Sequence, residues 1–508
     1  MKLNALAAAA GARILQPAAQ EVKITGISCD SRLVRAGDLF AALPGAKADG
    51  RAFARQAAEC GAAAILCEGA EALTALPQLV CADARLGLAR AARAFHGYAD
   101  RGMRMGAVTG TNGKSTIAYL VRHLLRSAGR RCGMLGTIKY DLGLEVFDAP
   151  LTTPESLDLH RYLRAMADAG CEAAFMEVSS HSLCQHRVAG ISFCTAVFTN
   201  LTRDHLDYHR TMENYREAKG ILFRNLPRDA VAVLNLDDKL PTCKASGYYA
   251  SITPARVLGF TLDPAKAGRS DLFGRIRKMT IHGTEFVIES PWGKREVNWR
   301  LVGAHNIENC LGALGAAVAL GAKFDEAVAS LASFPGVPGR LESVGDGEAR
   351  LPFRVLVDYA HTDDALRSVM QALNELKPTR LITVFGCGGD RDRTKRPIMG
   401  KAVEDLANIG VVTSDNPRTE NPQDIIADIC KGIQKKEKFS VEPDRAKAIE
   451  MAIREARGGD VVLIAGKGHE DYQIFGHRKR PFSDVEQARA ALARRFGSSG
   501  ENYAAAGS

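Results

Sequence analysis

A chain of 508 residues exceeds what one hydrophobic core organises, so about three domains of ordinary size are expected. Its 46% hydrophobic and 25% charged residues exclude a low-complexity chain, and no apolar run reaches the length that crosses a bilayer. The net charge of +9 is modest for this size and spread without a basic stripe, so phosphate- or carboxylate-rich small substrates explain it as well as nucleic acid would.

The opening MKLNALAAAAGARIL imitates a signal peptide, but its apolar part is short and Asn4 interrupts it, so an ordinary first helix is expected. Residues 1–98 alternate short strands (Val22 to Ile27, Ala63 to Cys67) with alanine-rich helices around the turn-rich string SCDSRLVRAGDLFAALPGAKADG. Residues 99–333 begin with an apolar strand, Met105 to Val108. Ile117, Leu120, Val121, Leu124, Leu125 and Ala128 then recur at helical spacing until Gly129. Further on, FVIESPWGKREV predicts a hairpin closed by a Pro-Trp-Gly-Lys turn, and LVGAHNIENCLGALGAAVAL a loop entering a buried helix. SFPGVPGRLE is a linker. Beyond it, in 334–495, strands are expected at Arg354 to Val357, Leu381 to Phe385, Gly410 to Thr413 and Val461 to Ala465, separated by helices. The polar tail 496–508 is read as disordered. The expected fold class is α/β in three domains, with a central phosphate-loop ATPase-like parallel sheet and a Rossmann-like C-terminal domain. Among the 12 cysteines the closest pair, Cys60 and Cys67, is too far apart for a C-x-x-C ligand pair, so they read as reduced core residues of a cytoplasmic protein.

Between the strand at Met105 and its helix lies GAVTGTNGKST. Val108 stands where the strict phosphate-loop pattern wants its first glycine, so Gly110 must make the turn. Gly110, Thr111, Asn112, Gly113, Lys114, Ser115 and Thr116 still supply permissive backbone, a lysine for phosphate charge and hydroxyls for magnesium, at a helix N-terminus that favours an anion. The apolar stretch AAFMEVSSH delivers Glu177 to the same sheet edge, where a carboxylate can hold magnesium. TNLTRDHLDYH packs Asp204, His205, Asp207 and His209 into six positions, a density that suits metal or phosphate handling. Lys219 follows on an amphipathic helix and, taken alone, reads as a solvated lysine.

The set TGTNGKST, EVSSHSL, NLTRDHLDYH, YREAKGILF, GAHNIENCLGA, PGRLE and DYAHTDDAL, in this order and spanning nearly the whole chain, resembles the Mur ligases of bacterial peptidoglycan synthesis. That resemblance implies a three-domain enzyme that uses ATP to join an amino acid to a UDP-N-acetylmuramoyl peptide. A carboxylate resists amine attack because its leaving group is oxide, and conversion to an acyl phosphate removes that obstacle; such phosphoryl transfer is mostly positioning and charge neutralisation.

Carried over position by position, the resemblance gives Lys114 the ATP phosphates, and gives magnesium to Ser115 or Thr116, Glu177, His205 and Lys219. The last is expected as a carbamate, formed with carbon dioxide. Asn306 and Asn309 match the adenine-side motif, Arg340 and Asp358 the ATP contacts of the linker and third domain, and His361 lies in the same DYAH string. Ser31 and Arg32 would contact the UDP-sugar, while Thr152, Thr153, Ser179, Gln185 and Arg187 would hold the muramoyl dipeptide. SDNPRTENP is, in the family, the mark of ligases that add meso-diaminopimelate: Asp415, Asn416, Pro417 and Arg418, with Arg391, Gly466 and Glu470, would recognise a second carboxylate and its ammonium. The implied substrates are UDP-N-acetylmuramoyl-L-Ala-D-Glu, meso-diaminopimelate and ATP, handled by a monomer with no nucleic acid and no membrane span. Ligation of L-lysine by the same chemistry, a phosphate-loop regulatory ATPase and a folylpolyglutamate synthetase stay open as alternatives. Two positions depart from the family strings: Asp363 replaces a proline, and Arg210 a glycine.

Overall fold

The strand and helix alternation is realised as sheets of five, eleven and six strands and one two-stranded ribbon in the computed structural model, which describes residues 1–45, 48–237, 244–345 and 351–497. Of the tail, residues 498–508 lie outside the described residues, as does Cys243. The first helix, Leu3–Ala10, buries Leu3, Leu6, Ala7 and Ala10, the i, i+3, i+4, i+7 stripe of a core-facing helix, and stops at Gly11 in the left-handed conformation.

The five-stranded sheet runs Arg13–Ile14, Gln78–Cys81, Ala64–Glu68, Asp38–Ala41, Gly26–Ser28, parallel except for its first member. Its last strand is shorter than the expected Val22 to Ile27. The residues before it pair with the N-terminus instead: Leu3 N–H donates to Val22 O at 2.8 Å and Ile24 N–H to Met1 O at 2.7 Å.

Six parallel strands make the middle of the eleven-stranded sheet, in the order Arg256–Thr261, Val231–Asn235, Thr195–Phe198, Arg104–Thr109, Ala173–Glu177, Cys132–Leu135. Covered on both faces, they read as continuous apolar runs, as buried parallel strands do. Glu177 pairs with Val108 and Phe198 with Thr109, so three strands end level at one carboxyl edge. The expected hairpin forms from Gly283–Ser290 and Gly293–Trp299, but Pro291 and Trp292 alone make its turn.

The six-stranded sheet runs Glu342–Val344, Arg354–Asp358, Val461–Ala465, Leu381–Phe385, Ile409–Val412, Phe439–Val441, antiparallel only at its first pair. The four strands expected there are present within a residue of their expected ends. The chain falls into two compact units: Met1–Gly274 with Glu289–Lys294 and Glu308–Leu331, and Arg275–Ile288 with Arg295–Ile307 and the residues from Ala332 onward. Among the described residues no helix is long and apolar enough to cross a membrane. The 11 described cysteines are all free; six are buried, whereas Cys29, Cys60 and Cys184 are exposed rather than in the core.

Candidate active site

Gly110 (φ 151°) and Gly113 (φ 87°) carry the chain from Arg104–Thr109 into the helix Lys114–Ser127. Both need glycine twice over: the backbone lies in the region L side chains avoid, and an added Cβ would collide with Thr199 Oγ1 at the first and Asn309 Oδ1 at the second. The following strand's loop fixes the turn. Thr111 N–H donates to Asn200 O (2.9 Å), Asn112 N–H to Asn200 Oδ1 (3.0 Å), and the Thr199 hydroxyl to Asn112 O (2.6 Å). Ser115, buried, and Thr116, half-buried, sit in the helix's first turn, where unpaired N–H groups and the dipole favour negative charge.

Lys219 is the largest departure from its sequence reading as a solvated cation. On the helix Met212–Arg224 it is 1% exposed, and its Nζ donates to Gly110 O at 2.9 Å, beneath the loop. Lys114 Nζ donates to the same carbonyl at 3.0 Å and to Thr111 O at 2.8 Å. Burial, and after it the Lys114 charge, pushes the Lys219 pKa well below the usual lysine value. With both amines on one carbonyl, burial and the neighbouring Lys114 disfavour a second cation at Lys219, so Lys114 carries the charge that complements a polyphosphate. His205 stands in the left-handed region (φ 53°), half-exposed, with its ring 5.0 Å from that of His181 and 6.0 Å from that of Tyr215. Desolvation lowers its pKa, opposed by Asp204 and aided by Lys114 and Lys219. His209 does not join a metal cluster: it is buried, with Nε2 2.8 Å from Ser180 Oγ.

Glu177, 1% exposed, ends the strand beside the loop strand. The Thr137 N–H and hydroxyl donate to its two oxygens at 2.9 Å each, and Thr137 Oγ1 also lies 3.1 Å from Thr152 Oγ1. The Thr153 hydroxyl donates to Glu177 O (2.9 Å), and Ser179 N–H donates back to Thr153 Oγ1 (3.1 Å). Arg187 donates to Thr153 O (2.9 Å), to Gln185 Oε1 (2.7 Å) and to Glu155 Oε1 (2.8 Å). Thr152, Thr153, Glu177, Ser179, Gln185 and Arg187 are thus one hydrogen-bonded patch, although the sequence scatters them. In the five-stranded-sheet region, the buried Ser31 donates to Gln56 Oε1 (2.7 Å), while Arg32, exposed, forks onto Asp30.

In the second unit, Asp358 ends the strand Arg354–Asp358 fully buried, and burial raises its pKa. It accepts from Leu341 N–H (2.8 Å) and Ala360 N–H (2.9 Å), which ties PGRLE to DYAH; the Arg340 guanidinium lies over the Tyr359 ring at 5.2 Å. The helix Ala304–Ala319 carries Asn306, donating to Val302 O (2.8 Å), and Asn309, whose side chain backs Gly113. Around the carboxyl edge of the six-stranded sheet, Arg418 (φ 53°) donates through Nη1 to Gly389 O at 2.7 Å, and Asn416 Nδ2 donates to Glu470 Oε2 at 2.9 Å. Pro417 O accepts Glu420 N–H at 3.1 Å. Gly466 (φ 119°) has no room for a Cβ, which would stand 2.6 Å from Asp415 Oδ2. Asp415, Asn416, Pro417, Arg418, Gly466 and Glu470 are therefore gathered. Arg391 and His361 are exposed, donating to Asp390 O (3.4 Å) and bonding Tyr359 O (2.9 Å), and no hydrogen bond of theirs reaches another candidate residue among the described residues.

Profiles of three Mur ligase domains match the chain: the Mur ligase family catalytic domain over 23–96, the Mur ligase middle domain over 108–317 and the Mur ligase glutamate ligase domain over 339–468. A UDP-N-acetylmuramoyl-L-alanyl-D-glutamate–2,6-diaminopimelate ligase from Gloeobacter violaceus is 44% identical over 479 residues, 94% of this chain and 95% of its own. The chain belongs to the Mur ligase family. A relative of the same description from Solibacter usitatus is 44% identical over 493 residues, 94% of this chain and 96% of its own. A solved structure so described superposes with a TM-score of 0.69 at 37% identity, covering 93% of this chain and 95% of that one.

Both departures from the Mur ligase strings acquire a structural meaning. Asp363 opens the helix Asp363–Glu375 behind the Thr362 cap, where an acidic side chain suits the dipole as a proline suits the backbone. Arg210 ends Leu206–His209 at φ 69°, a conformation that costs an L residue about 1–2 kcal/mol. Sequence reasoning missed Thr137, Asn200 and Lys467. Thr137 and Asn200 act through backbone registers that no local pattern reveals; Lys467 had a signal, its place between two glycines.

Proposed function

We propose that this Mur ligase spends ATP to join meso-diaminopimelate to the D-glutamate of UDP-N-acetylmuramoyl-L-Ala-D-Glu, in the cytoplasm, for peptidoglycan precursor synthesis. The observation that carries the choice of amino acid is Arg418, half-buried and donating to Gly389 O, in the loop after Ile409–Val412 that also holds Asp415 and is joined through Asn416 to Glu470. Diaminopimelate ends in a carboxylate and an ammonium, and that edge offers a guanidinium fork and two anions; L-lysine would leave the fork without a partner. The organisation into 1–98, 99–333 and 334–495 belongs to the same proposal.

The substrate carboxylate attacks the γ-phosphorus, ADP leaves, the amine nitrogen adds to the acyl carbon, and phosphate departs as the amide forms. The loop Gly110–Gly113 and Lys114 cradle the phosphates, with Asn306, Asn309, Arg340 and Asp358 on the nucleotide and His361 at the third-domain edge of the reaction. Ser31 and Arg32 take the UDP-sugar. Thr152, Thr153, Ser179, Gln185 and Arg187 hold the dipeptide so that its carboxylate meets the phosphate. Ser115 or Thr116, Glu177, His205 and Lys219, once carbamylated, would hold magnesium, which would supply neutralisation of phosphate charge. Lys219 suits carbamylation because only a neutral amine attacks carbon dioxide, and burial favours the neutral form.

The test supplies ATP, magnesium and the UDP-muramoyl dipeptide, then compares ADP release and product mass with meso-diaminopimelate and L-lysine. A product heavier by one residue with diaminopimelate alone supports the proposal; equal ADP release without any amino acid overturns it.

A further inference from the structure

Lys467 has no solvent exposure, yet it lies outside every residue set assigned above. It opens a tight turn after the strand Val461–Ala465, closed by Glu470 N–H donating to Lys467 O at 3.0 Å. Gly468 and Gly339 press this turn against the linker: a Cβ on Gly468 would stand 2.8 Å from Gly339 O. Burying an ammonium is expensive unless partners surround it. Lys467 Nζ donates to Glu470 Oε2 at 2.8 Å and to Asn416 Oδ1 at 3.2 Å, and lies 5.3 Å from the Tyr472 ring. Asn416 Oδ1 also accepts Ile474 N–H at 3.0 Å. One cation therefore ties together loops that follow two different strands.

Glu470 is left half-used. Its Oε2 accepts from both Lys467 and Asn416, whereas Oε1 accepts no hydrogen bond among the described residues, and the side chain is 17% exposed. The Asp415 carboxylate, 7% exposed, also accepts none among them. The nearby Arg445 is committed elsewhere, with Nε and Nη2 donating to Asp484 at 2.7 Å each and Nη2 also to Ala465 O at 2.9 Å.

We propose that Lys467 is the positioning residue of the amino-acid site: it clamps Glu470 and Asn416 so that Glu470 presents Oε1 to the distal ammonium, and it offsets the Glu470 charge. This rests on the proposed diaminopimelate reading. The offset has a consequence for selectivity. With Glu470 already paired, a lone ammonium gains little there, while a zwitterionic end satisfies Arg418 and Glu470 together. Loss of Lys467 unclamps Glu470 and Asn416, so the edge no longer presents the geometry that favours a zwitterionic end over a lone ammonium.

The experiment measures kcat and KM separately for meso-diaminopimelate, L-lysine, ATP and the UDP-muramoyl dipeptide in the full-length parent, Lys467→Met, Lys467→Arg, Glu470→Gln and Lys467→Met/Glu470→Gln. Lys467→Met is expected to raise the diaminopimelate KM at least about tenfold, the loss of one charge-assisted contact, with the ATP and dipeptide KM values within about twofold. The preference for diaminopimelate over L-lysine should fall. The double variant should lose less than the product of its parents' losses, as coupled residues do. Lys467→Arg, which keeps charge but moves it, should shift the diaminopimelate KM alone, and it carries the test where methionine at 467 prevents folding. All three KM values moving together, an unchanged diaminopimelate KM, or independent effects in the double variant would each overturn the assignment. A parent enzyme that ignores diaminopimelate would instead overturn the functional proposal.

Discussion

Replacing Lys219 with methionine should separate stability from activity. The side chain is 1% exposed, and burial, then the Lys114 charge, depresses its pKa. A lysine so depressed binds fewer protons folded than unfolded at any pH between its folded value and the ordinary 10.5, so stability rises with pH through that window and is complete only above it. Each unit of depression costs about 1.4 kcal/mol at lower pH. Methionine is of similar length and carries no charge to desolvate. Gly110 O keeps its bond from Lys114 at 3.0 Å, so the substitution orphans no carbonyl. In carbon-dioxide-free buffer at pH 7, Lys219→Met is therefore expected to be more stable than the parent, and the gain should shrink toward pH 10. Bicarbonate should stabilise the parent and not the variant, because only the parent can form a carbamate. Turnover should fall by at least about 100-fold, the scale of losing a charge-stabilising group. Thermal unfolding across pH 7–10, ADP release and the carbamate carbon signal after labelling with ¹³CO₂ give the three readouts. A stability gain that does not change with pH would refute the burial argument, and full turnover would remove Lys219 from the chemistry.

Arg418→Ala should raise the diaminopimelate KM by about 30-fold or more, the cost of losing a half-buried guanidinium partner for the distal carboxylate, and leave ATP binding nearly unchanged; steady-state kinetics with each substrate varied checks this. Arg210→Gly should relieve the left-handed strain at φ 69° and raise the unfolding temperature by the equivalent of about 1 kcal/mol, less the entropy glycine loses on folding. His160 on the helix Ser156–Asp168 is 2% exposed, its Nε2 has no hydrogen-bond partner among the described residues, and desolvation lowers its pKa from 6.5 to about 4. The stability it allows is complete above pH 6.5 and lost as pH falls toward 4, on the order of 3 kcal/mol in all, so His160→Phe should flatten the acid limb of a stability–pH curve.

The sequence by itself determined the parts whose signal is local. The glycines of 110–113, the strand before them and the helix after them follow from spacing and backbone permissiveness, and the four third-domain strands stand within a residue of their apolar runs. Gly466 belongs here too, since its positive φ is a property only glycine supplies freely. Where the expectation slipped, the N-terminal residues took the pairing at Val22 to Ile27, and the hairpin closed on Pro291–Trp292 alone.

Tertiary structure alone decided which charges lose their water. Lys219 looks like any helical lysine until Gly110, 109 residues away in sequence, is packed over it. Thr137 reaches Glu177 across 40 residues, and Lys467 reaches Asn416 across 51. Hydrophobic periodicity reports which face of an element is buried. It does not report which polar groups from separate elements meet at a sheet edge, and at that edge desolvation and a few hydrogen bonds determine what each ionisable side chain can do.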